Sequence, residues 1–303
     1  MNKKEKETTG SLMLEARRRR MVIPGFNIPY LPMMEPVVRA LRDTRTIGLI
    51  AVARLEWVKF QSGSLKAIRD EYERVKDERF TRLHLDHVPV IDEDNLRVDY
   101  ESIIREAIVL GYDSVMVDGS RLSLDENIAC TRRVAELAHN AGIAIEAELG
   151  AVMGHEAGPL PPYDELFASG MGFTDPQEAI RFVKESTDDW LSVAIGNIHG
   201  AISAARSEKK IEARLSIPRL NELNRVLNIP LVLHGGSGIG KSSLKEAFNN
   251  GIAKINIGMA IRQPYEKWMD ESVSKAQQAV SDQTIVIIQD ELGMAGSAEK
   301  ISF

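Results

Sequence analysis

Short apolar runs rich in β-branched residues alternate along this chain with longer stretches in which apolar residues recur every three or four positions. The runs are Met21–Asn27, Thr46–Ala53, Thr81–Asp86, Ser114–Asp118, Ile143–Glu148, Leu191–Ile195, Pro230–His234 and Ala253–Ile257. Each has the length of a buried strand. Between them, Ile103, Ile104, Ala107 and Ile108 share one face of a helix over Asp99–Leu110, and Ile128, Val134, Leu137 and Ala138 do the same over Asp125–Ala141. Pro36–Asp43, Ser64–Val75, Asp175–Ser186, Ile217–Val226, Lys241–Asn249 and Tyr265–Val280 complete the helical set. Gly111, Gly142 and Gly251 stand where helices should stop in the left-handed conformation.

Eight strand–helix units in strict alternation predict a parallel sheet with right-handed crossovers, and eight is the number that closes a TIM (β/α)8 barrel. A doubly wound open sheet is the alternative. The expected organisation is a helical extension over 1–20, one barrel over 21–281 and a tail over 282–303. The apolar run Thr284–Ile288 in that tail has no evident place in a barrel; packing under the barrel or against a second subunit would accommodate it.

At 303 residues with 44% hydrophobic content the chain can bury a core without disulfides. Cys130 is the single cysteine, and the first twenty residues are too charged for a secretory signal, so a reducing, cytoplasmic setting is expected. The sequence holds no 18-residue apolar run, which argues against a membrane span. A net charge of −6 and 6% aromatic residues argue against nucleic acid as a partner. Two basic clusters, Lys3-Lys4 and Arg17 to Arg20, leave two readings open: an anion or partner site, or a solvated helix end.

Barrel enzymes gather their chemistry at the C-terminal ends of the strands. Here those ends read Asn27, His84-Leu85-Asp86-His87, Asp118-Gly119-Ser120, Glu146-Ala147-Glu148, Gly196-Asn197-Ile198-His199-Gly200, His234-Gly235-Gly236-Ser237-Gly238 and Asn256-Ile257-Gly258, whereas the strand starts are plain. His87, His199 and His234 come from three ends that converge on one mouth. Three imidazoles suit a divalent cation, Zn2+ by default. Asp118 and Glu148 would add oxygen ligands or hold the imidazoles. Any one histidine alone reads rather as a hydrogen-bonded structural residue, and it is the three together that point to a metal. His139 reads as a surface residue and His84 as part of the barrel wall. Strand alternation sets Asp86 and His87 on opposite faces, so His87 must turn over the mouth, as the following Val88-Pro89 permits. Asp86 is then placed to move a proton at a substrate oxygen, or else to orient a histidine. Gly235-Gly236-Ser237-Gly238, followed by a helix near Lys241, can line an anion with backbone N–H groups.

These stretches resemble the class II, metal-dependent fructose-bisphosphate and tagatose-bisphosphate aldolases. The resemblance is carried by His84-Leu-Asp-His87, Ser114-Val-Met-Val-Asp-Gly-Ser120, Ala144-Ile-Glu-Ala-Glu-Leu-Gly150, Phe173-Thr-Asp-Pro176, Val193-Ala-Ile-Gly196, His199-Gly200, Leu231-Val-Leu-His-Gly-Gly-Ser-Gly238 and Gly251-Ile-Ala-Lys-Ile-Asn256, in the family's order. It implies a dimeric or tetrameric TIM barrel with Zn2+ on His87, His199 and His234, and Asp118 and Glu148 near an alternative metal position. It further implies that Asp86 exchanges a proton with the aldehyde-derived hydroxyl, that Glu156 acts in enolisation, and that Gly200, Gly235, Ser237 and Asn256 bind the dihydroxyacetone phosphate half. Asn27, Gly236 and Gly258 join the expected substrate-binding set by their places at strand ends.

The chain also departs from the family. Val88–Tyr100 inserts an acidic loop, Asp92-Glu93-Asp94. Strand two ends in Ala53-Arg54-Leu55-Glu56-Trp57, where the family has a substrate-contacting serine. Gly258-Met259 replaces the pair whose threonine holds a phosphate, Ala157 replaces the Asp after the loop glutamate, and Ala201–Arg214 lacks a Tyr-Lys pattern. Losing one charge-assisted hydrogen bond removes about 1.5–3 kcal/mol, for which Arg54, Arg121 or Arg262 could compensate. The expectation is the family's retro-aldol chemistry on a different ketose. A metal-dependent sugar epimerase or isomerase and a non-catalytic barrel subunit are the alternatives.

Overall fold

The computed structural model describes residues 7–151, 162–197, 213–236 and 239–301. Eight parallel strands close a barrel in sequential order: β1 (Ile23–Asn27), β2 (Gly48–Ala53), β3 (Thr81–Asp86), β4 (Ser114–Val117), β5 (Ala144–Leu149), β6 (Trp190–Val193), β7 (Leu231–Leu233) and β8 (Ile252–Ile257), the last pairing with the first. This is the predicted TIM (β/α)8 barrel. The helix α1 (Thr9–Arg19) precedes β1, and α2 (Met34–Asp43) follows it. Then come α3 (Arg54–Val58) and α4 (Leu65–Val75) after β2, α5 (Tyr100–Leu110) after β3, and α6 (Leu124–Asn140) after β4. Two helices, α7 (Tyr163–Ser169) and α8 (Pro176–Ser186), lie between β5 and β6. They are followed by α9 (Ile217–Val226) and α10 (Lys241–Asn249), with α11 (Met259–Trp268), α12 (Val273–Val286) and α13 (Ala298–Ile301) after β8.

Local chemistry explains the starts and stops. Ser64, Asp99, Ser123, Asp175 and Ser216 each accept a backbone N–H of the first helical turn after them, satisfying donors that the helix leaves orphaned. Gly111 ends α5 at φ 80°, a conformation that costs little without a Cβ.

Period-two alternation along the strands sorts apolar from polar. Leu83, Leu85, Val115, Val117, Ile145, Ala147, Ile255 and Ile257 point outward into the main core beneath the helices. Their neighbours His84, Asp86, Glu146, Glu148, Lys254 and Asn256 occupy the alternate positions and are buried all the same. A second apolar cluster closes the opposite end of the barrel, where Leu12, Met13 and Ala16 of α1 pack on Ile23, Leu49, Trp190, Val232 and Ala253. The N-terminal extension is thus a plug for the barrel floor.

Three expectations need correction. The helix expected over Tyr265–Val280 is two: α11 begins directly after β8, and α12 restarts where the Ser272 hydroxyl caps Lys275 N. Second, α12 runs through the 281/282 boundary, so no separate tail begins at Asp282. Thr284–Val286 finish that helix, and Ile287 and Ile288 open the π-helical turn Ile287–Leu292 that continues it, both buried in the main core. The chain then returns under β2, where Thr46 Oγ1 donates to Met294 O and Ile47 N donates to Ser297 Oγ. Third, α3 and α7, short and irregularly patterned, were absent from the expected set. Among the described residues no helix is long and apolar enough to cross a membrane.

Phe182 of α8 is fully buried, whereas Val109 of α5 is 86% exposed. Phe182→Ala should therefore cost about 3–5 kcal/mol in urea unfolding, and Val109→Ala less than about 0.5 kcal/mol.

Candidate active site

The polar residues at alternate strand positions meet inside the barrel, and a buried ammonium organises them. Lys254 Nζ of β8 lies 2.7 Å from Glu146 Oε2, 3.2 Å from Asp86 Oδ1 and 3.2 Å from His84 Nε2, with no exposed side-chain surface. Burial by itself would lower the Lys254 pKa; the charges of Glu146 and Asp86 outweigh it and hold it above its ordinary value. Burial likewise pushes the two carboxylates up, but Lys254 and the neighbouring histidines keep both well below the usual carboxylate range. Neither Glu146 nor Lys254 was among the expected site residues. The signal that could have found them is the spacing: Glu146 stands two before Glu148, and Lys254 two before Asn256, so each pair shares the barrel-facing side. His84, expected in the barrel wall, belongs to this interior cluster, with Nδ1 on Ser114 Oγ at 2.9 Å.

One layer nearer the mouth, two imidazoles face each other with ring centres 5.7 Å apart, His87 and His234. His87 follows β3 at φ 37°, a left-handed turn that carries its ring over the mouth, out of the alternation that would have pointed it away. Each ring is braced by a carboxylate. His87 Nε2 is 3.2 Å from Asp118 Oδ2, and His234 Nε2 is 2.8 Å from Glu146 Oε1. A carboxylate on one ring nitrogen sets the tautomer and leaves the other for a ligand. Burial disfavours charge on His87, but the Asp118 hydrogen bond and the charges of Asp118, Glu148 and Asp86 raise it to about 10.

Glu148 completes the group. It is buried, and burial together with the Asp118 charge raises its carboxyl to about 7. Its Oε2, 3.9 Å from His234 Nδ1, is a buried oxygen with no hydrogen-bond partner among the described residues. His87, Glu148 and His234 can each present one ligand atom within 4.8 Å of the others. His84, Asp86 and Glu146 form a second such group, but Lys254 already supplies its positive charge. The orphaned Glu148 oxygen lies in the first group, which therefore suits a cation. His199, the third expected imidazole, lies outside the described residues, as do Glu156, Gly200 and Ser237.

The asparagines expected to touch substrate meet Asp86. Asn27 Nδ2 and Asn256 Nδ2 donate to Asp86 Oδ2 at 2.9 and 2.7 Å, and Asn256 Oδ1 is buried without a partner. Gly258 ends β8 and caps α11; Gly235 and Gly236 follow β7. At Gly236 a Cβ would come within 2.5 Å of Ile255 Cδ1, so only glycine lets the backbone run this close to β8. The N-cap of α10, Gly240, provides no side-chain acceptor, leaving that helix's first N–H groups to another partner.

The inserted loop takes up two of the three arginines considered as compensating charges. Asp92 is buried, its Oδ1 accepting the N–H of Asp94 and Leu96. Arg54 Nη1 lies 3.4 Å from Asp92 Oδ2, and Arg121 Nη1 donates to Asp92 O at 2.7 Å. Arg262 stacks over Phe60 at 4.9 Å and stands 3.6 Å from Glu266. At the end of β2, Glu56 accepts Ala53 N at 2.7 Å and caps α3.

A closed barrel with imidazoles, carboxylates and an ammonium converging at its C-terminal mouth defines an enzyme that moves protons on a small substrate. The chain belongs to the class II fructose-bisphosphate aldolase family, whose model matches residues 7–300, and it is accordingly an aldehyde-lyase. It is 33% identical to a 6-phospho-5-dehydro-2-deoxy-D-gluconate aldolase of Bacillus velezensis, over 88% of this chain and 82% of that one. It is 29% identical to a fructose-bisphosphate aldolase of Staphylococcus aureus, over 81% and 78%. In three dimensions it is similar to the YdjI aldolase of Escherichia coli K12, with TM-score 0.75 and 26% identity over 95% of this chain and 98% of that one.

Lys254→Met would leave Asp86 and Glu146 buried without their cation. It should cost about 3–5 kcal/mol at pH 7. Both carboxylates titrate well below their usual range in the native protein, so the stability they bring is present above roughly pH 4–5 and lost on acidification. Urea unfolding should therefore show the gap between variant and native protein holding down to that range and narrowing as pH falls below it.

Proposed function

We propose that this protein cleaves a phosphorylated ketose by a metal-dependent retro-aldol reaction, giving dihydroxyacetone phosphate or a related three-carbon ketone and an aldehyde. The observation that carries the reading is the buried Glu148 oxygen, unpartnered among the described residues, beside two carboxylate-braced imidazoles, one of which, His87, directly follows Asp86. A divalent cation, Zn2+ in this reading, would be held by His87, His234 and Glu148 with His199 and would supply a Lewis acid for the substrate carbonyl.

The remaining steps belong to the chain's own groups. Asp86, kept ionised by Lys254, accepts the proton of the hydroxyl on the carbon that becomes the aldehyde. A carboxylate offers about four acceptor positions, so its bonds to Lys254, Asn27 and Asn256 leave room for that hydroxyl. As the C3–C4 bond breaks, its electron pair passes into the carbonyl unit as an enediolate, and C3 is then reprotonated, with Glu156 assigned as the proton carrier. Asn256 Oδ1 accepts a substrate hydroxyl. The backbone N–H groups after β7, at Gly235, Gly236 and Ser237, together with Gly200, Gly258 and the start of α10, hold the phosphate of the ketone half. Asn27 orients Asp86 and Asn256. Asp118 holds the His87 ring and stands near the cation.

The relatives' activities, on 6-phospho-5-dehydro-2-deoxy-D-gluconate and on fructose bisphosphate, support a sugar-phosphate substrate. The acidic loop fastened by Arg54 and Arg121, and Ala53-Arg54-Leu55-Glu56-Trp57 where the family has a substrate-contacting serine, alter the substrate contacts, which supports a ketose other than fructose bisphosphate. We read the protein as a cytoplasmic homodimer or homotetramer.

Retro-aldol turnover should fall by roughly 10²–10⁴-fold in Asp86→Asn and vanish on chelation or in His234→Ala, both proteins keeping their circular dichroism. A fully active chelated enzyme would overturn the reading; a single product in place of two fragments would make it an isomerase or epimerase. Binding a cation displaces the protons that Glu148 holds up to about pH 7 and His87 up to about pH 10. The apparent affinity for Zn2+ should therefore rise with pH across this range, with proton release seen when the heat of binding is compared in two buffers.

A further inference from the structure

The arginine cluster at the end of α1 is untouched by the catalytic mouth, and the fold gives it a concavity. A cavity of about 550 Å³ lies between the last turns of α1 and the C-terminal ends of α9 and α10. It is therefore at the barrel floor, opposite the mouth: Asn228 precedes β7 and Gly251 precedes β8. Its volume is that of a pocket for one small molecule.

The lining is dominated by hydrogen-bond donors. Arg17 carries its charge into the wall, partly buried, and meets no carboxylate among the described residues. Its three acceptors are neutral: Asn228 Oδ1 at 3.1 Å, Asn224 Oδ1 at 3.2 Å and Leu227 O at 3.1 Å. Burial lowers its pKa. Its Nε is buried and has no partner. Both asparagine oxygens accept from Arg17, so each amide is oriented with its oxygen on the guanidinium and its NH2 group free to donate to a ligand. A Cβ at Gly251 would fall 2.3 Å from Asn224 Oδ1, so glycine there keeps that amide in place. Arg20 stands at φ 57°, exposed, and has no ion-pair partner among the described residues. Glu15, the one carboxylate of the lining, is buried and engaged by Arg18 and Arg19. Three arginines against one glutamate leave the lining with two positive charges in excess, in a chain whose net charge is −6.

Solvated arginines at a helix C-terminus are ordinary, since they favour the helix dipole. Arg18 and Arg19, both paired to Glu15, fit that description. Arg17 and Arg20 do not: one has its charge and an unused donor within the wall of a cavity, and the other is held at the rim by a left-handed backbone. We propose that this floor cavity is a binding site for a small phosphate-bearing molecule, with Arg17, Arg20 and the amides of Asn224, Asn228 and Asn249 as its donors. A donor-lined, doubly positive concavity of this volume suits a compact oxyanion. The site is independent of the catalytic reading.

Inorganic phosphate is the probe, added to the full-length protein against sodium chloride of equal ionic strength while Tm is followed. Native protein, Arg20→Glu and Asn249→Asp are compared, and Tm in chloride alone reports whether each variant folds. Phosphate should raise the Tm of the native protein, and its apparent affinity should fall at least about tenfold in both variants. An equal phosphate response in all three, or none in the native protein, overturns the proposal. Crystals soaked in sodium selenate then locate the anion. An anomalous peak between Arg17, Arg20 and Asn228 supports the site, and a peak only beside Gly235 and Gly236 overturns it.

Discussion

The site depends on one buried cation, the ammonium of Lys254. Two carboxylates and two or three imidazoles cannot share the dry interior of a barrel unless positive charge comes with them, because each unpaired ion carries a desolvation cost of several kcal/mol. Lys254 meets Asp86, Glu146 and His84 with no exposed surface. It thereby fixes which of the acidic groups are ionised. Glu146, ionised, can then brace His234 through Nε2, and Asp86, ionised, can hold Asn27 and Asn256 while retaining room for a further donor.

Glu148 stands just beyond the reach of this ammonium, and the contrast between the two glutamates of β5 follows from that. They are two residues apart on one strand and equally buried, yet one is held well below its ordinary pKa and the other raised to about 7. Glu146 has Lys254, Trp190 and His234 as partners, while Glu148 Oε2 has none. The interior is thus graded, from a layer in which Lys254 lies between two ionised carboxylates to a layer at the mouth where the Glu148 oxygen has no hydrogen-bond partner among the described residues. The same logic separates two groups of potential ligands that composition alone cannot rank.

Much of this was legible in the chain. Alternation of eight apolar runs with helical stretches predicted the barrel, and reading the strand ends predicted His87, His234, Asp118, Glu148 and Asp86 around one mouth. The turn required of His87 was foreseeable because Asp86 and His87 are adjacent. What escaped was set by contacts between elements far apart in sequence. Lys254 reads as an ordinary lysine in a strand, and only the register of β8 against β1, with β3 and β5 across the barrel, puts its ammonium between two carboxylates. Arg54 and Arg121 read as free charge for a phosphate, but the inserted loop folds back so that Asp92 engages both. Thr284–Ile288 reads as a stray apolar run, and becomes the end of α12 and the start of the π-helical turn after it, with Ile287 and Ile288 buried in the main core.

The sequence by itself determined the architecture and the kind of chemistry, because hydrophobic period and strand-end composition are local properties that survive without coordinates. The tertiary structure decided the charge states and the division of labour among like residues. Those depend on distances of about 3 Å between side chains that are more than a hundred residues apart, such as Lys254 and Glu146, and no pattern along the chain encodes which buried carboxylate will be reached by the one buried ammonium.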